Sequence, residues 1–227
     1  MFVRIQLVFG IFLMNTAIAP AAELQEVASF PDKQITGVGV STTSGRIFVN
    51  FPYWSDDHSI SVAEIVNGQP KAFPNDEWNK AGPAGLHFIC VQSVVVDDLD
   101  TLWVLDPAAP KMQEIVKGGP KLVKIDLATN QVVQTIPFGE DVAPKKSYLN
   151  DVRIDTRMNT AFITESGRGA IIIADKRLLW PDTLSWGPKG EMYVTASQIE
   201  NMPRFNNGKS TRTEPYKLWK IIGIGRK

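Results

Sequence analysis

The sequence is poor in the residues that most often build metal and nucleophile sites. Cys90 is its only cysteine, so a disulfide within the chain is excluded, and His58 and His87 are its only histidines. Paired Cys and His ligands of a zinc site are therefore absent, and two histidines define no Ser-His-Asp or Cys-His arrangement. Cys90 lies in the apolar run 88–91, which favours a small buried residue over a reactive thiol.

The chain also lacks an excess of charge of either sign. It carries 24 Lys and Arg against 24 Asp and Glu, for a formal net charge of zero. Nucleic-acid-binding proteins usually show a basic excess or a basic stripe, so we expect no nucleic-acid partner. The 44% content of hydrophobic residues is ordinary for a globular chain with a real core.

Apolar runs long enough to suggest a membrane segment are missing except at the N-terminus. There Arg4 precedes the apolar run 5–14, and small residues follow at 17–22. A basic start, a short apolar middle and a small-residue exit are typical of a secretory signal peptide, and the run is shorter than the roughly 20 residues of a membrane span. We predict cleavage after Ala21, a single domain over 22–227, and a secreted or periplasmic protein without a membrane partner after cleavage.

The sequence is rich in self-similar pairs of short strands. Four stretches each contain an apolar strand, a polar turn and a second strand built around an aromatic residue; they are 37–51, 93–106, 151–166 and 183–197. Self-similarity at a period of about 40–60 residues is the signature of a repeat architecture. We therefore predict an all-β fold, a β-propeller in which each repeat is one blade and the central channel holds the ligand site.

The second repeat predicts a complete blade, and the later repeats do not. Its four strand signals are 93–96, 102–105, 121–125 and 132–136. After the third repeat the chain runs from Asp175 through 176–181 into the next blade without an outer hairpin. We expect about four blades, with the segment 24–30 pairing as the outer strand of the last blade, since closure removes exposed edges.

Long phrases along the chain identify a family. They include GRIFVNFPYW (45–54), VQSVVVDDLDTLWVLD (91–106), YLNDVRID (148–155), AFITESGRGAIIIAD (161–175) and WPDTLSWGPKGEMYVTASQIENMPRFNNG (180–208). On these phrases the chain resembles the major royal jelly protein/yellow family, in its bacterial secreted form, over about residues 34–221. The resemblance implies a six-bladed propeller, of which about four blades remain here in an incomplete ring. It implies either an internal deletion between Asp175 and Trp180 or an artefact of the gene prediction there.

The same resemblance implies a function. Family members bind amines or other small aromatic molecules, so a small-molecule ligand at the central channel is expected. Some relatives are linked to dopachrome conversion, which leaves an enzyme as an alternative, either a dopachrome tautomerase-like isomerase or a metal-dependent lactonase. No residue identifies an acid or a base, and a non-functional fragment is the third alternative.

Polar residues at the starts of the innermost strands are the candidate channel residues. Asn150 and Asp151 begin the third blade, and Asp182 begins the fourth. The family is distantly similar to senescence-marker/gluconolactonase propellers, which implies Asn150 and Asp182 as ligands of a divalent cation; carboxylate and amide oxygens suit Ca²⁺. Val38 stands where the lactonases have a Glu and cannot ligate a metal. The alternative is that these residues cap strand starts, as Asn and Asp do routinely.

A loop at 198–208 supplies the remaining candidates. It is polar, follows the last aromatic strand, and lies where a rim over a channel site would be. Arg204, Phe205 and Asn206 are the residues expected to contact an aromatic or anionic ligand. The alternative is an ordinary surface loop.

Overall fold

The fold of the chain is almost entirely β. A computed structural model describes residues 24–54, 59–157, 159–167, 170–171, 181–186, 192–213 and 215–221. These residues form four antiparallel sheets, and the helices among them are short, the longest spanning four residues. The predicted all-β class is confirmed. Within the same residues, no helix has both the length and the apolar character that crossing a membrane requires.

The first two sheets are four-stranded meanders in which each strand pairs with the next. The first contains β1 (Gly37–Val40), β2 (Ile47–Asn50), β3 (Val62–Val66) and β4 (Gln69–Ala72). The second contains β5 (Ser93–Val96), β6 (Thr101–Asp106), β7 (Lys121–Asp126) and β8 (Gln131–Pro137). The second sheet matches the predicted complete blade strand by strand. A short helix, α1 (Asp76–Asn79), lies between the two sheets in sequence.

The third and fourth sheets have three strands each among the described residues. The third contains β9 (Leu149–Asp155), β10 (Thr160–Glu165) and β11 (Ala170–Ile171). The fourth contains β12 (Pro181–Trp186), β13 (Met192–Ala196) and β14 (Lys217–Ile221). Residues 172–180, which include the expected deletion, lie outside the described part of the chain, so that expectation stays a prediction.

The four sheets pack face to face in chain order, as propeller blades do. Their first strands touch in the same order, β1 on β5, β5 on β9, and β9 on β12. Three apolar cores fill the spaces between successive sheets. Phe48 lies in the core between the first and second sheets, Val152 in the next, and Leu184 in the third. The predicted propeller with about four blades is confirmed.

The four interior residues of strand β6, 102–105, form a continuous apolar run. Leu102 and Val104 enter the core shared with the first blade, whereas Trp103 and Leu105 enter the core shared with the third. Side chains alternate between the two faces of a strand, so a strand that is covered on both faces needs apolar residues at every position. A central strand of a blade is covered in this way, and all six residues of β6 are buried.

Strands β1 and β5 approach each other closely because β1 has glycine at alternate positions. A Cβ atom at Gly37 would lie 2.9 Å from the backbone nitrogen of Val94, and one at Gly39 would lie 3.1 Å from that of Val96. Any larger residue would push the two innermost strands apart. The GVGV phrase therefore allows the first and second blades to meet at the channel, backbone against backbone.

The expectation that residues 24–30 complete the last blade is wrong. The segment contains no strand, and Phe30 packs edge-on against Phe51 of the first blade, with 5.2 Å between ring centroids. Phe51 forms an apolar cluster with Val49 and Ala63, and Phe30 and Ile60 pack against this cluster. Burial of that apolar surface, which the strand-counting argument did not consider, holds the segment on the first blade.

A buried ion pair joins strands β6 and β7 to the loop before β5. Lys121 Nζ lies 2.8 Å from Asp106 Oδ2, and both side chains are almost completely buried. Lys121 also donates to the carbonyl oxygens of Ala84 and Gly119. Asp106 accepts from the backbone nitrogens of Ile89, Cys90 and Ala108. Both charges are therefore satisfied by fixed partners, and the pair holds three segments of chain together.

We predict that Asp106→Asn destabilises the chain strongly. The substitution leaves the Lys121 ammonium buried without its counter-charge, which typically costs about 3–5 kcal/mol of unfolding free energy. Urea denaturation measures this loss. The control is Lys80→Ala, which breaks the exposed pair with Glu77 and should cost no more than about 1 kcal/mol. Similar losses in the two variants would contradict the role given to the buried pair.

Candidate functional site

Two adjoining cavities lie where the innermost strands begin. The larger of the two, called the upper cavity below, has a volume of about 600 Å³. The smaller, called the lower cavity, has a volume of about 270 Å³. Both are lined by Trp54, Gln92, Asn150 and Asp182. Gln92 immediately precedes β5, while Asn150 and Asp182 are the second residues of β9 and β12. The predicted channel location of Asn150 and Asp182 thus coincides with the two cavities.

A run of hydrogen bonds, called the polar chain below, crosses the site from Trp54 to Asp182. Trp54 Nε1 donates to the Tyr148 hydroxyl at 2.6 Å, and this hydroxyl donates to Gln92 Oε1 at 2.7 Å. Gln92 Nε2 donates to Asn150 Oδ1 at 3.0 Å, and Asn150 Nδ2 donates to Asp182 Oδ1 at 3.0 Å. The polar chain joins a loop of the first blade to the innermost strands of the other three.

Asp182 is the carboxylate at the end of the polar chain. Burial raises the pKa of Asp182 above the ordinary value of 3.8. The hydrogen bond from Asn150 opposes this rise in the pKa, and the negative charge of Asp151 adds to it. Burial without a full counter-charge disfavours the ionised form. The site therefore holds a carboxylate that a cation would stabilise.

Asp151 faces the lower cavity and is already engaged. Its Oδ1 accepts from Ser93 Oγ and from Arg153, each at 2.8 Å. Its Oδ2 lies 3.3 Å from the backbone nitrogen of Leu184. These bonds join the third blade to the second and fourth. Asp151 therefore stabilises the packing of the blades and also lies beside the predicted site.

The loop residues divide between the cavity and the surface. Arg204 and Phe205 line the upper cavity, with the guanidinium carbon of Arg204 4.7 Å from the centroid of the Phe205 ring. They belong to a short 3-10 turn, Pro203–Phe205. Asn206 follows that turn and donates from Nδ2 to the Met202 carbonyl at 3.0 Å, which places it as a turn residue. Ligand contact by all three stays a prediction.

Three residues of the site were not identified from the sequence, namely Trp54, Gln92 and Tyr148. All three occur inside or beside the family phrases, but single polar or aromatic residues before strands are common and carry no periodic signal. The available signal was positional: Gln92 precedes the first strand of the second blade, and Tyr148 precedes that of the third. Asn150 and Asp182 were identified from the sequence because they lie at the starts of innermost strands.

The predicted calcium site has few ligands among the described residues. No group of three or more His, Cys, Asp or Glu side chains there could hold a metal ion. Asn150 directs its NH₂ group at Asp182, and its oxygen accepts from Gln92. Ca²⁺ takes six to eight oxygen ligands. As arranged, Asn150 does not fit as a calcium ligand beside Asp182, and no step of the proposed function uses a metal.

Neither Cys90 nor His87 takes part in the hydrogen bonds of the polar chain. Cys90 is buried, and burial raises the pKa of its thiol to about 12, which agrees with an inert small residue. His87 Nδ1 lies 2.8 Å from the Glu77 carbonyl oxygen, and its ring packs where a Cβ atom on Gly82 would clash. His58 is outside the described residues.

We predict that Asp182→Asn stabilises the ligand-free chain relative to the wild type, and increasingly so as the pH rises. The folded pKa of Asp182 is raised, so its unfavourable effect on stability is absent below the unfolded value of 3.8 and grows as the pH rises towards and through the folded value. Asparagine can still accept from Asn150 and has no charge to bury. Urea denaturation of both proteins across this pH range is the measurement, and a difference independent of pH would contradict the assignment.

Comparison with known proteins finds a family that matches part of the chain. No curated protein matches the chain in sequence. A solved protein of unknown function from Bacteroides caccae is 11% identical with a TM-score of 0.47, over 74% of this chain and 54% of that one, so the chain spans about half of its length. A catalytically inactive virginiamycin B lyase from Staphylococcus aureus, solved with quinupristin, is 13% identical with a TM-score of 0.41, over 84% and 71%. Residues 89–178, which contain the second blade and the described strands of the third, match the major royal jelly protein family, and the resemblance expected from the sequence is confirmed over that segment.

Proposed function

We propose that the chain is a secreted propeller protein that binds a small aromatic amine in the upper cavity. The observation that carries the proposal is a half-buried carboxylate, Asp182, in a cavity that is also lined by Trp54, Tyr148 and Phe205. Its volume of about 600 Å³ falls within the range of roughly 300–1,000 Å³ that is typical of small-molecule sites.

The charge of Asp182 favours a cationic ligand. Burial disfavours the ionised carboxylate, and an ammonium group within hydrogen-bond distance would offset that cost. Binding should therefore lower the pKa of Asp182 towards its ordinary value. The same linkage means that acid weakens binding, because a protonated Asp182 no longer attracts a cation.

The aromatic side chains favour a ligand with a ring. Trp54 and Phe205 belong to different loops and line the same cavity. Aromatic faces stack with rings and attract cations by their quadrupole. Phe205 is exposed, which leaves its ring available to cover a ligand. A molecule with an ammonium group near Asp182 and a ring between Trp54 and Phe205 would use both features.

The amine proposal predicts a specific loss in Asp182→Asn. By calorimetric titration, the wild-type chain should bind tyramine or dopamine, and the variant should bind them at least about tenfold more weakly, the equivalent of about 1.4 kcal/mol. Phenol and catechol, which keep the ring and lack the amine, should bind both proteins alike.

The matched control for this titration is Asp141→Asn, which removes the same charge at an exposed position. It should bind the amines as the wild type does. If the wild type shows no detectable binding of any tested amine, the proposed ligand class is excluded. Equal losses in the two Asp variants would show that net charge, and not the cavity, governs binding.

The export step of the proposal rests on the N-terminal pattern, which lies outside the described residues. If residues 1–21 are a cleaved signal peptide, the protein recovered from the medium or periplasm of a bacterial host should begin at Ala22. N-terminal sequencing makes this measurement. A protein that begins at Met1 and stays in the cytoplasm would contradict the export proposal. Replacing Ala19 and Ala21 by Arg should block cleavage in the same host.

A further inference from the structure

We infer that Trp54, Tyr148 and Gln92 are positioning residues that hold the Asn150 amide with its NH₂ group towards Asp182, and that this orientation leaves Asp182 as the acceptor that a hydrogen-bond donor on a ligand meets. The inference about the ligand rests on the proposed function. The inference about the orientation rests on the polar chain alone.

The direction of the polar chain is fixed at its Trp54 end. An indole N–H can only donate, and Trp54 Nε1 is 2.6 Å from the Tyr148 hydroxyl oxygen. That oxygen therefore accepts from Trp54 and gives its own proton to Gln92 Oε1 at 2.7 Å. Burial raises the pKa of the Tyr148 phenol, so the hydroxyl keeps this proton at neutral pH.

The same direction continues through the two amides. With its oxygen turned to Tyr148, Gln92 presents Nε2 to Asn150 Oδ1 at 3.0 Å. Asn150 is then left with its NH₂ group for Asp182 Oδ1 and for the hydroxyl of Ser166, each at 3.0 Å. An ionised carboxylate can only accept, so the Asp182 end requires the direction that the Trp54 end imposes.

A reversed Asn150 would be doubly mismatched. Its oxygen would face the Asp182 carboxylate, and its NH₂ group would face the NH₂ group of Gln92. Gln92, Tyr148 and Asn150 are all buried, and unmatched polar contacts between buried groups are costly. The amide orientation therefore follows from the chemistry of both ends and not from Asn150 itself.

The orientation determines what a ligand meets. The oxygen of Asn150 is taken by Gln92, and its NH₂ group is taken by Asp182 and Ser166. Asp182 Oδ2 has no hydrogen bond to the described residues, while Asp182 itself lines both cavities. The group that this part of the site offers to a ligand is thus an acceptor with negative charge, and an ammonium or other donor group fits it.

The test is the titration of the Asp182 carboxyl in the ligand-free chain, read by ¹³C NMR with Asp182→Asn as the assignment standard. Gln92→Met keeps the length of the side chain but removes both polar contacts. Because Asn150 then loses the partner that orients it, its bond to Asp182 weakens, and the pKa of Asp182 should rise further, by about half a unit or more. Tyr148→Phe, which interrupts the polar chain one step earlier, should give a smaller rise.

The matched control is Ser93→Ala, which removes a partly buried hydrogen bond in the same channel, from Ser93 to Asp151, outside the polar chain. A titration of Asp182 that is unchanged in folded Gln92→Met and Tyr148→Phe, or that moves as much in Ser93→Ala, would overturn the inference. The tyramine titration then separates the two proposals. A shifted carboxyl in Gln92→Met with no amine binding by the wild type would keep the positioning role and exclude the amine ligand.

Discussion

Face-to-face burial between blades is the constraint on which the rest of the structure depends. A blade in the middle of the row has a neighbour on each side, so the interior of β6, residues 102–105, is apolar at every position. Packing of this kind leaves little freedom in how one blade sits on the next. The polar residues of β6 lie at its two ends, and the first strands of the blades pack on one another and bring their starts together.

The candidate site is a direct product of that packing. Gln92, Asn150 and Asp182 come from three blades, and each lies at the start of an innermost strand. Their mutual bonds bind the blades together and also create a charged acceptor in a sheltered cavity. Structure and binding capacity are combined in the same few side chains.

The features that were predictable from the sequence are those with local or periodic signals. Strands alternate and repeat, so the second blade was predicted strand by strand, and the blade-start rule placed Asn150 and Asp182 at the channel. Trp54 and Tyr148 were missed because their bond joins residues 94 positions apart, and no pattern in the chain encodes that distance. Residues 24–30 were misplaced because counting strands ignored the apolar surface around Phe51 that Phe30 covers. β3 and β4 carry mixed polar and apolar residues and gave no clear alternation.

The glycines of β1 have a consequence for how this site can change over generations. Where Gly37 and Gly39 meet β5, the spacing between two walls of the channel is set by main-chain atoms. Substitutions elsewhere in the wall can alter the chemistry of the lining without altering that spacing. A lineage could exchange one ligand for another by changing side chains at the strand starts and in the rim, while the bore between the first and second blades stays constant.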